Sequence, residues 1–296
     1  MNFVKYFKFF NILSFLIFLL AIFSLFFFGL KFSIDFTGGS ILEVDFEERP
    51  ENSIIQEKLK DLNLGEIIIQ PVGEKGVILR MPEIDEERHQ KIISQLNEIS
   101  KVEEKRFENI GPTVGKELRE KTITLITVSL IFLLCYITIA FSKISRPISS
   151  WQYGLISIIT LSFDVAIALG IFSLLGKLYN AQFNIPIVTA LLTILGYTIN
   201  DKVIVFDRIR ENILKEHKKT FEDLVNLSLN QTLTRSLSTG TCTLLVLLSL
   251  FFFGGETLKY FALILIAGII IGTYSSLFLA TPLLVIWLKS RKRGQD

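Results

Sequence analysis

The sequence has few of the residues from which metal centres, disulfide frameworks and thiol active sites are made: two cysteines and two histidines in 296 residues. Cys135 and Cys242 each sit inside an apolar stretch, and His89 and His217 stand apart among charged residues. No disulfide framework, zinc site or Cys/His nucleophile can be assembled from them. A phosphate loop is missing too. Thr37-Gly38-Gly39-Ser40 lacks the G-x-x-x-x-G-K-[ST] pattern and opens no helix, so it reads as a turn feeding a strand, which argues against an ATPase. Charge is also absent from long stretches. Half of all residues are hydrophobic, the mean hydropathy is +0.49, and Phe supplies 26 of the 35 aromatic residues, with runs at 26–28 and 251–253. These features exclude disorder and collagen and point to a membrane protein.

A bilayer core of about 30 Å takes about 20 helical residues. Six stretches suffice, at 9–30, 123–141, 151–175, 185–206, 237–253 and 260–288. The first follows Lys5 and Lys8 as a signal peptide would, but its apolar run is too long and no small-x-small cleavage pattern closes it, so it reads as an uncleaved anchor. Lys and Arg collect on alternate flanks: Lys5 and Lys8; Lys143 and Arg146; Arg208, Arg210, Lys215, Lys218, Lys219 and Arg235; Lys289, Arg291, Lys292 and Arg293. The opposite short loops hold only Lys177 and Lys259. The positive-inside rule then puts both termini in the cytoplasm.

Residues 32–118 lie outside on that reading. They hold 19 acids and 11 bases, net −8, against 10 acids and 20 bases, net +10, in the remainder. A strand at 41–46, a helix at 53–62 with Ser53 as N-cap, strands at 66–70 and 76–80, a helix at 85–99 and a strand at 103–110 give the order βαββαβ of a ferredoxin-like split unit. The expected organisation is a cytoplasmic tail and first span (1–30), an extracytoplasmic α+β domain (31–118), a bundle of five further spans (119–288) with a cytoplasmic loop at 207–231, and a basic tail (289–296). The loop reads as an amphipathic surface helix, with Ile209, Ile213, Phe221, Leu224 and Leu227 on its apolar side.

Ionisable residues inside spans cost roughly 2.5–3.5 kcal/mol each at mid-bilayer, so each needs a partner or a task. Asp164 lies in the middle of the third span, with Ser157 and Thr160 as local partners; Asp201 lies toward the cytoplasmic side of the fourth, beside Asn200. Thr189, Thr193, Gly196, Tyr197 and Asn200 form one polar or small stripe at helical spacing on that span. Lys202 reads as a charge-compensating or snorkelling residue next to Asp201. The fifth span opens with hydroxyl residues around Arg235, which suit close helix approach and inter-helix hydrogen bonds; Arg235 either sits at the headgroups or points toward Asp201. Gly268, Gly272 and Ser276 form a packing ladder on the sixth span, and Gly111-Pro112 is a hinge or a rigid turn.

Several of these segments together resemble a known family. They are Ile34-Asp35-Phe36-Thr37-Gly38-Gly39, Asn109-Ile110-Gly111-Pro112-Thr113-Val114-Gly115-Lys116-Glu117-Leu118, Ser162-Phe163-Asp164-Val165, Gly196-Tyr197-Thr198-Ile199-Asn200-Asp201, Phe206-Asp207-Arg208-Ile209-Arg210-Glu211-Asn212 and Gln231-Thr232-Leu233-Thr234-Arg235-Ser236. In order and spacing they are similar to the SecF branch of the SecD/SecF family of the bacterial Sec preprotein translocase. The resemblance implies a six-helix half of an RND-type core in the inner membrane, completed by SecD. It also implies work beside the SecY/SecE/SecG channel, with YajC as a further partner, to draw a preprotein client outward on the ion gradient. Membrane lipid is the surrounding medium, and no nucleic acid, cofactor or metal is implied beyond a coupling ion, H+ or Na+. By the family's motifs Asp201, with Asn200, and Arg235 match its ion relay, and Asp164 matches the acid of the third span. Asp35, Gly38, Gly39, Gly111 and Pro112 belong to motifs flanking the outer domain. Lys202 departs from the family's pattern, which has a small hydroxyl residue there, and as a cation beside Asp201 it would favour the ionised carboxylate. Two alternatives share these features: a half-size RND-type exporter of a lipid or small molecule, and a purely structural assembly subunit.

Overall fold

Long apolar runs become helices wherever the backbone must satisfy its own hydrogen bonds, as it must in lipid. The computed structural model describes residues 2–140, 150–216 and 219–293, and among them six helices are long and apolar enough to cross a membrane: Val4–Phe28, Pro112–Ala140, Trp151–Tyr179, Ile185–Lys215, Phe221–Phe253 and Leu258–Ser290. Phe141, Lys143, Arg146 and Lys218, which bear on the spans and their orientation, lie outside the described residues. In chain order the elements are α1 (Phe7–Phe28), α2 (Ile34–Thr37), β1 (Gly39–Phe46), α3 (Asn52–Leu59), β2 (Ile68–Val72), β3 (Gly76–Met81), α4 (Glu86–Ile99), β4 (Val102–Ile110), α5 (Pro112–Ala140), α6 (Ser150–Tyr179), α7 (Ile185–Lys215), α8 (Phe221–Phe253), α9 (Gly255–Ser275) and α10 (Thr281–Arg293). The sixth span joins α9 to α10 through a π-helical turn, Ser276–Ala280.

The chain divides into two units, Phe32–Thr124 and the rest, Met1–Lys31 with Leu125–Asp296. The smaller unit is the expected ferredoxin-like βαββαβ domain, a four-stranded antiparallel sheet in the order β2-β3-β1-β4. Alternation along β1 sends Leu42, Val44 and Phe46 into a core with Val77, Leu79 and Met81 of β3, Ile55 and Leu59 of α3, and Ile92 and Leu96 of α4. Asp85 caps α4 by accepting the Arg88 N–H at 2.9 Å. Ser53 does not cap α3. The cap position falls to Glu51, and the Ser53 hydroxyl donates to the Glu51 carboxylate at 3.3 Å instead.

Gly38 and Gly39 close α2 and open β1 with φ of +75° and +126°, a region that penalises any Cβ. A Cβ on Gly38 would also come within 2.7 Å of Pro112 Cα, and one on Gly115 within 2.8 Å of the Gly38 nitrogen. The start of α5 therefore lies directly against the glycine pair. Side chains tie the same places together: the Ser40 hydroxyl donates to Asn109 Oδ1 at 2.9 Å and accepts from the Ile84 N–H at 3.1 Å, while Asn109 Nδ2 donates to the Ile84 carbonyl at 2.8 Å. Gly111-Pro112, which sequence left between hinge and rigid turn, is the step from β4 into α5, with Pro112 as the first helical residue, where a missing N–H costs nothing.

In the larger unit α6, α7 and the sixth span form the buried centre, while α1, α5 and α8 keep most of their surface open. The ladder on the sixth span is a true packing seam. A Cβ on Gly268 would overlap Ile194, and one on Gly272 would overlap Thr198, so α9 touches α7 almost backbone to side chain. Residues 207–231 are not a loop carrying a surface helix. They are the ends of α7 and α8, joined by 216–220, because Thr220 caps α8 by accepting the Asp223 N–H at 3.2 Å and the helical periodicity of Ile209, Ile213 and Leu224 simply continues that of the spans.

Candidate functional site

Close approach of α6, α7 and α9 brings three charged residues into the core of the larger unit. Asp164 on α6 and Lys202 on α7 are both 0% exposed, and Lys202 Nζ donates to Asp164 Oδ2 at 2.6 Å and to Ser275 Oγ at 3.1 Å. Ser275 in turn donates to the Gly272 carbonyl at 3.1 Å, just ahead of the π-helical turn. Such turns often mark functional positions because they shift the register of the helix that follows. Burying an ion pair is costly unless the charges are paired and hydrogen-bonded, and this one is paired within a single shared pocket.

Asp201, one residue before Lys202, faces elsewhere. Successive helical residues are rotated by about 100°, from 3.6 residues per turn, so Asp201 turns toward α8 and α9 while Lys202 turns toward α6. Asp201 is 2% exposed and accepts from Thr273 Oγ1 at 3.3 Å. The sequence-based reading of Lys202 as a cation compensating Asp201 is therefore refined: its ammonium is hydrogen-bonded to Asp164, and it reaches Asp201 through its charge alone. Ser157 and Thr160, expected beside Asp164, donate instead to carbonyls of their own helix, at Tyr153 and at Ile156 and Ser157.

Arg235 is exposed on α8. Its charge is within Coulombic reach of Asp201, and no ion pair joins the two among the described residues. Asn200, Thr189, Thr193 and Gly196 are likewise exposed on α7, and Thr234, Ser238, Thr239 and Thr241 are exposed on α8. The polar stripe thus runs along open faces of both helices at membrane depth, where lipid alone would be a poor covering. The hydroxyls of α8 bridge helices only in part: Ser228 accepts from Asn212 of α7 at 2.7 Å, and Ser236 lies against the Asp201 carboxylate. Thr232, Thr239 and Thr243 donate to carbonyls of α8 itself, and Thr243 also reaches the Tyr197 hydroxyl at 3.5 Å.

Asp35 sits in the first turn of α2, capped by Ser33, whose hydroxyl accepts the Asp35 N–H at 3.2 Å. In Phe206-Asp207-Arg208-Ile209-Arg210-Glu211-Asn212 the work is structural. Phe206 packs edge-on against Tyr153 at 5.2 Å, and Asn212 Nδ2 donates to Ser228 Oγ at 2.7 Å and Gln231 Oε1 at 2.9 Å, clamping α7 to α8. Sequence reasoning missed Thr273 and Ser275, the hydroxyls that serve the two carboxylates' neighbourhood. The signal was available: they lie one and three residues past Gly272, on the turn that the glycine ladder presses onto α7.

Residues 90–290 match the family described as protein export membrane protein SecD/SecF, C-terminal, and residues 23–48, which include Gly38 and Gly39, match the SecD/SecF GG motif. The chain is 40% identical over 278 residues to the protein translocase subunit SecF of Thermobaculum terrenum, an alignment covering 89% of this chain and 86% of that one. It is 38% identical over 265 residues to the SecF of Anaerolinea thermophila, covering 88% and 85%. Its structure is similar to that of SecDF, a translocon-associated membrane protein from Thermus thermophilus, with a TM-score of 0.86 at 35% identity. That match covers 97% of this chain and 38% of the SecDF chain, so the likeness takes in little more than a third of SecDF.

Proposed function

The chain belongs to the SecD/SecF family of protein-export membrane proteins, as an accessory subunit of the Sec translocase in the inner membrane, and on that premise we propose that Asp201 couples an ion gradient to late steps of preprotein export. The observation that carries the reading is the position of Asp201. It is a nearly buried carboxylate at membrane depth, accepting from the Thr273 hydroxyl, with its neighbour Asn200 opening onto a polar face that a partner must cover. SecD is the partner the family supplies, and contact with SecY/SecE/SecG, with YajC and with the client follows from the same role. Both termini lie in the cytoplasm and the βαββαβ domain outside, on the strength of the Lys/Arg bias.

In this scheme protonation or ion binding at Asp201 removes a charge that Arg235 would otherwise attract, and α7 and α8 shift with it. The energy suffices. One charge crossing ~150 mV releases about 3.5 kcal/mol, comparable to the few kcal/mol that separate two conformers of a domain. No covalent step and no bound cofactor is involved.

Reconstitution tests this reading. Vesicles containing the complex with SecD and the channel should release a preprotein faster when a proton or sodium gradient is imposed than when neither is present. Equal release under all three conditions would leave the chain as an assembly subunit only.

A further inference from the structure

The pocket that holds the Lys202 ammonium is built of oxygens. Asp164 Oδ2 and Ser275 Oγ contact Nζ, while the buried Thr198 hydroxyl lies close enough to the Asp164 carboxylate to act on it, as does that of Ser275. Thr198 lies against Gly272, whose carbonyl accepts from Ser275, so the two hydroxyls and the carboxylate converge where α7 crosses α9. A carboxylate with neutral hydroxyl oxygens is the donor set of a hard cation. Here a covalently attached cation stands in it, two of its three N–H groups donated, to Asp164 and to Ser275.

We propose that Lys202 is a tethered cation filling a monovalent-cation site formed by Asp164, Ser275 and Thr198, and that by filling it Lys202 excludes sodium from the core of the bundle. The inference deepens the ion-coupling reading and rests on it for its meaning: the ion that moves is handled at Asp201 alone. A second cation beside the ammonium is opposed by like charge in a setting with no water to screen it.

The test is the thermal unfolding midpoint of the purified complex with SecD, at pH 8, in sodium chloride and in choline chloride of equal concentration. No gradient or client is involved, so failure of the coupling reading leaves this result untouched. The wild-type midpoint should be the same in both salts. Lys202→Ser should lower the midpoint in choline and recover several degrees of it in sodium, because the freed site binds the ion in the folded state only. A complex recovered only from sodium-containing buffers would show the same thing. Asp164→Asn combined with Lys202→Ser keeps the pocket neutral, and its midpoint should not respond to sodium. A Lys202→Ser complex that behaves alike in the two salts, or that fails to assemble in either while the double variant assembles, overturns the proposal, as does a sodium-specific rise in the wild type.

Discussion

Asp201→Asn should abolish the stimulation of export by an ion gradient while leaving the complex assembled and gradient-independent export unchanged. Asparagine is nearly isosteric, and its carbonyl oxygen can still accept the Thr273 hydroxyl that donates to Asp201 at 3.3 Å, so packing among α7, α8 and α9 is kept. What is lost is a group that changes charge. Without that change nothing differs between the two sides of the cycle, and an ion with equal affinity for both conformers shifts neither. Arg235→Ala should have the same outcome, since its guanidinium is the charge on α8 within reach of that carboxylate. Export rates from inverted membrane vesicles with and without an imposed gradient provide the check. Full stimulation in either variant would make these charges structural.

Asp164→Asn should act differently, on assembly rather than coupling. The variant leaves the Lys202 ammonium 0% exposed without its hydrogen-bonded counter-charge, and breaking a buried pair in this way costs about 3–5 kcal/mol. Net stabilities are only about 5–15 kcal/mol, so much of the complex should be lost from the membrane. Removing both charges, with Asp164→Asn and Lys202→Met together, should restore most of the wild-type amount, because a buried pair replaced by apolar side chains of similar volume is often neutral. Complex yield and unfolding midpoint report this directly. A single Asp164→Asn variant as abundant and as stable as wild type would show that the pair is not needed for the fold. The sequence suggests only a milder version of the Asp201 phenotype, since the partners it offers Asp164, Ser157 and Thr160, are uncharged residues of the same span.

That contrast shows where sequence reading stops. The spans are legible because a run of about 20 apolar residues suits little besides a helix crossing a bilayer, and the βαββαβ domain because Leu42, Val44 and Phe46 alternate while Ile92 and Leu96 keep helical spacing. Residues 207–231 mislead because their charge suggests a loop, whereas a span can run on as helix into water, as α7 does to Lys215. The pairing of Asp164 with Lys202 links residues 38 apart on separate helices, and nothing in either segment encodes how the two helices are rotated about their axes. Adjacency in sequence suggests that Lys202 serves Asp201. On a helix, adjacency means divergent directions, and only the seam of Gly268 and Gly272 against α7 decides which residues meet α9.

The role of Asp201 is tested most directly by ion uptake during export. Proteoliposomes with the complex, SecD and the channel, loaded with proton- and sodium-sensitive dyes, would report which ion enters as a preprotein is released. The account predicts uptake of one of these ions that depends on the client and is absent with Asp201→Asn; client-dependent uptake of equal size in wild type and Asp201→Asn would contradict it.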